Sequence, residues 1–231
     1  MKLILFDIDG TLISTRNAGM RAYYRALESV FGIRVDGKLI RPDGKTDPLI
    51  AKELLAYFNL SHLWSDATRD ALFESYLHCL EEEMCRARDC GWIRILPGVE
   101  SLLEILSHQP DFAMGLVTGN LEKGAYIKLE KAGLLNYFQF GGYGSDSEDR
   151  TSLTRKGIER GARFVAPAPV EGAFIVGDTP LDIIHGHAAG ARVIAVASAG
   201  YSLQELEPHM PDLLVPDLTR SDDIISFIRS S

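Results

Sequence analysis

Four short apolar runs, Leu3–Phe6, Ala113–Val117, Ala173–Val176 and Val193–Val196, constrain the fold of this chain more than any other feature. Each has the length of a strand, and amphipathic segments separate the later ones. That alternation implies a parallel sheet covered by helices, an α/β architecture. Leu102, Leu103 and Leu106 follow helical spacing after Pro97, so a helix leads into the run at Ala113. Ala125, Leu129 and Ala132 line a second helix that Gly133 should end, and a third is expected from Pro180 to about Ala189, with Gly190 as its stop. The stretch between the first and second runs reads differently. Ala18, Ala22, Ala26 and Val30 are spaced for a helix, Gly32 should close it, and Asp47-Pro48 looks like a cap followed by a first-turn proline. No central strand is evident there. The expected organisation is an α/β core made of residues 1–14 and 89–231, with a helical insertion over residues 15–88.

Composition narrows the functional classes. With 231 residues and 46 % hydrophobic content, a packed core is affordable in a chain of this size. The formal net charge is −8, and the 24 basic residues are scattered, so no footprint for nucleic acid or an anionic membrane surface is present. The apolar runs are far shorter than a membrane span, and Val193–Ala197 has Arg192 at its edge. Met1-Lys2 leads into a short apolar stretch that does not resemble a secretory signal. Cys79, Cys85 and Cys90 form no Cys-x-x-Cys pair, which points away from zinc and from a disulfide framework. A cytoplasmic protein acting on a small molecule is the expectation.

The chemistry concentrates where strands end. Asp7-Ile8-Asp9-Gly10-Thr11-Leu12 follows the first run directly, and residues two apart in extended backbone share a side. Both carboxylates could therefore meet one substrate, and two like charges that close call for a hard cation such as Mg²⁺. Val117-Thr118-Gly119-Asn120 ends the next run and opens a helix, so a hydroxyl and backbone amides could cradle an anion; helix capping by Thr118 or Asn120 explains the same residues. Gly177-Asp178-Thr179-Pro180-Leu181-Asp182 repeats the placement a third time. Asp178 reads as a metal ligand, whereas Thr179 and Asp182 have the spacing of a capping box. Lys45, in Gly44-Lys45-Thr46-Asp47, is a candidate for touching a leaving group, although a helix start accounts for most of that segment. His185 and His187 stand two apart on a helix and do not share a face. Gly141, Gly142 and Gly144 read as a turn.

An acid pair, a hydroxyl with amides and a further acid, each at a separate strand end, converge where open α/β sheets bind ligands. Together these motifs resemble those of the haloacid dehalogenase superfamily: Asp-x-Asp-Gly-Thr, a strand-end Thr or Ser, and Gly-Asp-x-x-x-Asp. The match runs in order along nearly the whole chain, and an insertion after the first motif is similar to the family's helical cap, closest to its phosphoglycolate phosphatase-like branch. The resemblance implies a Rossmann-like core, Mg²⁺ held by Asp7, Asp178 and the Asp9 backbone carbonyl, and a phosphatase that acts on a small phosphorylated metabolite. It also implies Asp7 as nucleophile, Asp9 as acid and base, and Thr118, Gly119 and Asn120 as ligands of the transferring phosphate. The family's basic residue is expected before the fourth motif, where the usual Lys-Pro pair is missing. Arg150, preceding a helix that carries Leu153 and Ile158, is the first choice, and Lys156 the alternative. The family's dehalogenases generally lack the second acid, so Asp9 favours a phosphate substrate. A β-phosphoglucomutase-like phosphotransferase and a non-catalytic module that binds a phosphorylated ligand remain alternatives.

Overall fold

The computed structural model describes all 231 residues. In chain order the elements are β1 (Lys2–Phe6), β2 (Ile13–Ser14), α1 (Ala18–Phe31), α2 (Asp47–Tyr57), α3 (Asp66–Asp89), β3 (Arg94–Ile95), α4 (Val99–Ser107), β4 (Phe112–Thr118), α5 (Glu122–Ala132), β5 (Gly141–Tyr143), α6 (Arg150–Val165), β6 (Gly172–Gly177), α7 (Pro180–Ala188), β7 (Arg192–Val196), α8 (Leu203–Leu206), β8 (Leu213–Val215) and α9 (Ser221–Ser230). Six strands form one sheet in the order β5-β4-β1-β6-β7-β8, with every pairing parallel. A Rossmann-like α/β core is thus present.

The apolar runs are continuous because the sheet is buried on both faces. In β1 the two-residue period sends Ile4 and Phe6 into one cluster and Leu3 and Leu5 into another. Strand β7 divides in the same way, Ile194 and Val196 to the first face, Val193 and Ala195 to the second. Helices α4, α5 and α9 cover the first face through Leu102, Leu129 and Ile224, and α6 and α7 cover the second through Leu153 and Ile183. At roughly 1.5–3 kcal/mol for each large aliphatic side chain buried, these two layers are the main source of the core's stability.

A third apolar cluster belongs to α1, α2 and α3. It contains Ala18, Ala22 and Ala26, the stacked rings of Tyr23 and Tyr76 with centroids 3.9 Å apart, and Leu121 from the loop after β4. Chain entry and exit are tied together by the antiparallel pair of β2 and β3, Ile13 opposite Ile95. The helices stop where glycine was expected, at Gly32 and Gly133, both left-handed.

Three expectations are corrected. Gly141 to Tyr143 form a strand rather than a turn, and the missing side chain of Gly142 lets α6 lie directly on it: a Cβ there would stand 2.0 Å from the Leu153 carbonyl oxygen. Strands β2, β3, β5 and β8 are two or three residues long and escape a reading based on apolar runs. Finally, Thr46 rather than Asp47 occupies the N-cap of α2; Asp47 is its first residue and is buried.

Candidate active site

Strands β4, β1 and β6 are adjacent, so their carboxyl ends deliver Thr118, Asp7 and Asp178 to one edge. Asp7 extends the ladder by donating its amide to the Val176 carbonyl (2.9 Å), which fixes the backbone beneath its side chain. Asp178 accepts from the Thr11 hydroxyl (3.0 Å). Gly10, with φ of 90°, turns the chain past this carboxylate so closely that a Cβ would lie 2.3 Å from Asp178 Oδ2.

Arg150 opens α6 and is buried, with Nη2 3.5 Å from Asp7 Oδ1 and in an ion pair with Asp182. Asp182 in turn accepts from the Thr179 amide (3.0 Å) and hydroxyl (2.7 Å), the expected capping box. Lys156 is not brought to this edge. Six residues further along α6 it faces solvent and pairs with Glu159 at 3.6 Å. His185 and His187 also go separate ways, to Thr151 and Asp212.

Carboxylates outnumber cations here. Asp7, Asp178 and Asp182 are all buried, and each offers an oxygen such that the three lie within 4.8 Å of one another. Burial, and then the charge of Asp182, push Asp7 up to about 7 against the pull of Arg150. Asp178 is raised well above the usual carboxylate range by burial and by the charges of Asp182 and Asp7. Such crowding is what a hard divalent cation relieves, and the all-oxygen donor set suits one. Asp182 spends its oxygens on Thr179 and Arg150, so Asp7 and Asp178 are the acids best placed to hold a metal.

Asp9 departs from the expected acid pair. Its carboxylate is 44 % exposed and is excluded from the cluster of three; Oδ2 accepts from Lys128 Nζ (2.5 Å) and Asn120 Nδ2 (2.9 Å). The crowding around Asp7 therefore comes first from Asp182. Asn120 does not cap α5, whose N-cap is Leu121. Its amide N–H and Nδ2 turn back to Thr118 Oγ1 at 3.3 and 2.7 Å, so the expected free amide of Asn120 is already engaged. Gly119 is bare for another reason: a Cβ there would lie 2.1 Å from the Lys45 carbonyl oxygen.

Residues 44–47 press on this edge from the helical side. Arg150 Nη1 donates to the Gly44 carbonyl (3.0 Å), and the Asp47 amide donates to the Gly119 carbonyl (2.7 Å). Asp47 Oδ2 accepts from the Leu121 amide (2.7 Å), and its carbonyl accepts from the Tyr23 hydroxyl (3.0 Å). Burial raises Asp47 to about 6, with Lys128 and the Leu121 N–H opposing. Lys45 pairs with Glu53 at 2.6 Å and lines the cavity. That cavity, about 330 Å³, runs from Asp7, Thr118 and Asp178 to Tyr23, Asp47 and Tyr76.

Lys128 and Asp47 are members of the site that motif spacing misses. One signal for Lys128 was available: it lies four residues after Gly124 and directly before Leu129, on the buried stripe of α5, where a lysine is out of place.

Comparison with known proteins agrees with this geometry. A sequence model of haloacid dehalogenase-like hydrolases matches residues 4–196. Pyrophosphatase PpaX of Listeria monocytogenes is 26 % identical over 227 residues, 98 % of this chain and 95 % of that protein. Among solved structures, a predicted phosphoglycolate phosphatase from Haemophilus somnus has a TM-score of 0.73 at 19 % identity, over 97 % of this chain and 98 % of its own. A β-phosphoglucomutase from Clostridium difficile has a TM-score of 0.72 at 18 % identity, over 99 % of this chain and 97 % of its own. With its strand-end acids, its sheet order and the family match over most of its length, the chain belongs to the haloacid dehalogenase-like hydrolases.

Proposed function

We propose that this hydrolase is a Mg²⁺-dependent phosphatase that cleaves a small phosphorylated metabolite through an aspartyl-phosphate on Asp7. The observation that carries the reading is the placement of Asp7: a buried carboxylate beside one guanidinium and two further acids, opening onto a cavity of metabolite size. Mg²⁺, when bound by Asp7, Asp178 and the Asp9 carbonyl, supplies the positive charge that an anionic nucleophile needs to approach an anionic ester.

The chain's own groups then divide the work. An Asp7 oxygen attacks phosphorus and the ester oxygen departs, taking a proton from Asp9; a water, deprotonated by Asp9, afterwards cleaves the acyl phosphate and frees Asp7. Arg150 and the Thr118 hydroxyl steady the phosphoryl oxygens, with the backbone of Gly119 and Asn120 beside them. Residues 15–88 act as a cap that shuts water out and chooses the substrate, a role supported by their separate apolar cluster and by the seat of residues 44–47 on the core. Lys45 is placed to contact the leaving group. Phosphoglycolate and pyrophosphate are the first substrates to try, given the names of the relatives.

Phosphate release from a panel of phosphorylated metabolites and pyrophosphate, with and without Mg²⁺, tests the reading. Activity that requires Mg²⁺ and disappears in Asp7→Asn is the expected result; activity that survives both changes refutes it. Return of the phosphate to a sugar instead of its release would assign a phosphotransferase.

A further inference from the structure

Lys128 has no part in the scheme above, yet it is one of the least accessible charges in the molecule, 4 % exposed. Its neighbours on α5, Ala125 and Leu129, are fully buried in the core. Sinking an ammonium there costs its hydration unless partners replace the water, and an aliphatic residue would fill the same space without that cost. The partners are specific. Nζ lies 2.5 Å from Asp9 Oδ2 and 2.6 Å from Asn120 Oδ1, while Asn120 Nδ2 donates both to Asp9 Oδ2 (2.9 Å) and to Thr118 Oγ1 (2.7 Å). Asp9, Lys128 and Asn120 thus close a ring, and the ring is tied to the hydroxyl expected to touch phosphate.

Asp9 needs such a ring. It stands beyond the end of β1, directly before the left-handed Gly10, with its side chain 44 % exposed and no hydrogen-bond donor to its carboxylate other than these two residues. A carboxylate on an open turn otherwise samples several rotamers. The ammonium itself sits under the helical unit, 3.6 Å from where a Cβ on Gly19 of α1 would be. Asp9 is therefore drawn toward the end of the cavity away from the cluster of three acids, the side on which an ester oxygen leaves when Asp7 attacks from the other.

The geometry points to Lys128 as a positioning residue that, with Asn120, holds the Asp9 carboxylate on the leaving-group side of the cavity. This inference rests on the phosphatase reading and on Asp9 as its proton donor. In this assignment Lys128, which also lines the cavity, acts through Asp9.

Leaving-group dependence distinguishes this from a structural role. An alkyl phosphate needs its departing oxygen protonated, whereas p-nitrophenyl phosphate hardly does. Asp9→Asn is expected to lower kcat/KM, which reports formation of the aspartyl-phosphate and not its later hydrolysis, by about 10² or more on the alkyl ester, with a much smaller effect on the aryl ester. Lys128→Met should reproduce that selective loss in kcat/KM, and Lys128→Arg should restore part of it. Placed on Asp9→Asn, Lys128→Met should cost no more than about twofold further, since the two act as one unit. Equal losses on both esters, or losses that multiply in the double variant, overturn the assignment. If Lys128→Met does not fold, Asn120→Ala, which removes the other half of the clamp, is read by the same criteria. Failure of the phosphatase reading looks different: no ester is turned over by the native protein. A crystal structure of Lys128→Met then decides the positional claim without any substrate: a displaced or disordered Asp9 carboxylate supports it, and an unmoved one overturns it.

Discussion

The two ends of the cavity handle negative charge in opposite ways. At the sheet edge, Asp7, Asp178 and Asp182 crowd around a single guanidinium, and Asp7 and Asp178 are pushed upward by burial and then by the charge of Asp182. Toward the helical unit, Asp9 accepts from Lys128 and Asn120, Asp47 accepts from the Leu121 amide, and the Lys128 charge opposes the burial of Asp47. Asp7 and Asp9 are two residues apart, yet one is buried among acids and the other is half exposed beside an ammonium. In the proposed reaction, environment rather than residue type separates the nucleophile from the proton carrier.

The strongest way to break this comparison is Asp7→Asn. Loss of the nucleophile should reduce phosphate release by at least about 10³-fold while the fold persists, since the amide remains close in shape. Circular dichroism checks the fold and a phosphate assay the rate; comparable activity would remove the sheet edge as the reacting end.

Next comes Arg150→Met, which takes the only cation from the crowded end. Asp182 and Asp7 would be left buried without it, and a loss of about 3–5 kcal/mol in unfolding free energy is expected, along with most of the activity. A loss within about 0.5 kcal/mol would show that the acids relax elsewhere.

Asp47→Asn probes the other end through pH. Asp47 is raised from 3.8 to about 6, so its proton is bound more tightly in the folded protein. The associated stability is fully present below about pH 4 and is lost as pH rises through 6, after which the buried charge costs about 3 kcal/mol. An asparagine can still accept from the Leu121 amide without becoming charged. Urea unfolding from pH 4 to 8 should show the variant gaining on the native protein across pH 4–6 and holding that advantage above it. A difference independent of pH would mean that Asp47 is not held this way. The smallest effect is reserved for Lys156→Ala, where an exposed lysine paired only with Glu159 should change stability by less than about 0.5 kcal/mol and leave turnover alone.

Much of the sheet-edge end is legible in the sequence alone. Asp7, Thr118 and Asp178 follow apolar runs at once, and a residue that ends a parallel strand has only one edge to occupy. The capping box of Thr179 and Asp182 was equally legible, because it is a contact between near neighbours. Spacing favours Arg150 over Lys156 without deciding between them. That choice depends on where α6 begins, and Asp149, which accepts the Ser152 amide as N-cap, puts Arg150 on the first turn facing the acids. The second role of Asp182, holding Arg150, spans 32 residues and leaves no trace in local pattern.

The sequence by itself determined the parallel α/β core, the edge at which the strand-end acids gather and the helical nature of the segment between β2 and β3, since period, apolar run and glycine stop act over a few residues. Only the tertiary structure decided which charges meet. The pairing of Asp9 with Lys128 joins positions 119 residues apart, and the seat of Asp47 against Leu121 joins positions 74 apart. Contacts of that range are set by how α5 and α2 pack, so the opening pair of acids, identical in the sequence, became two different groups only once the chain had folded.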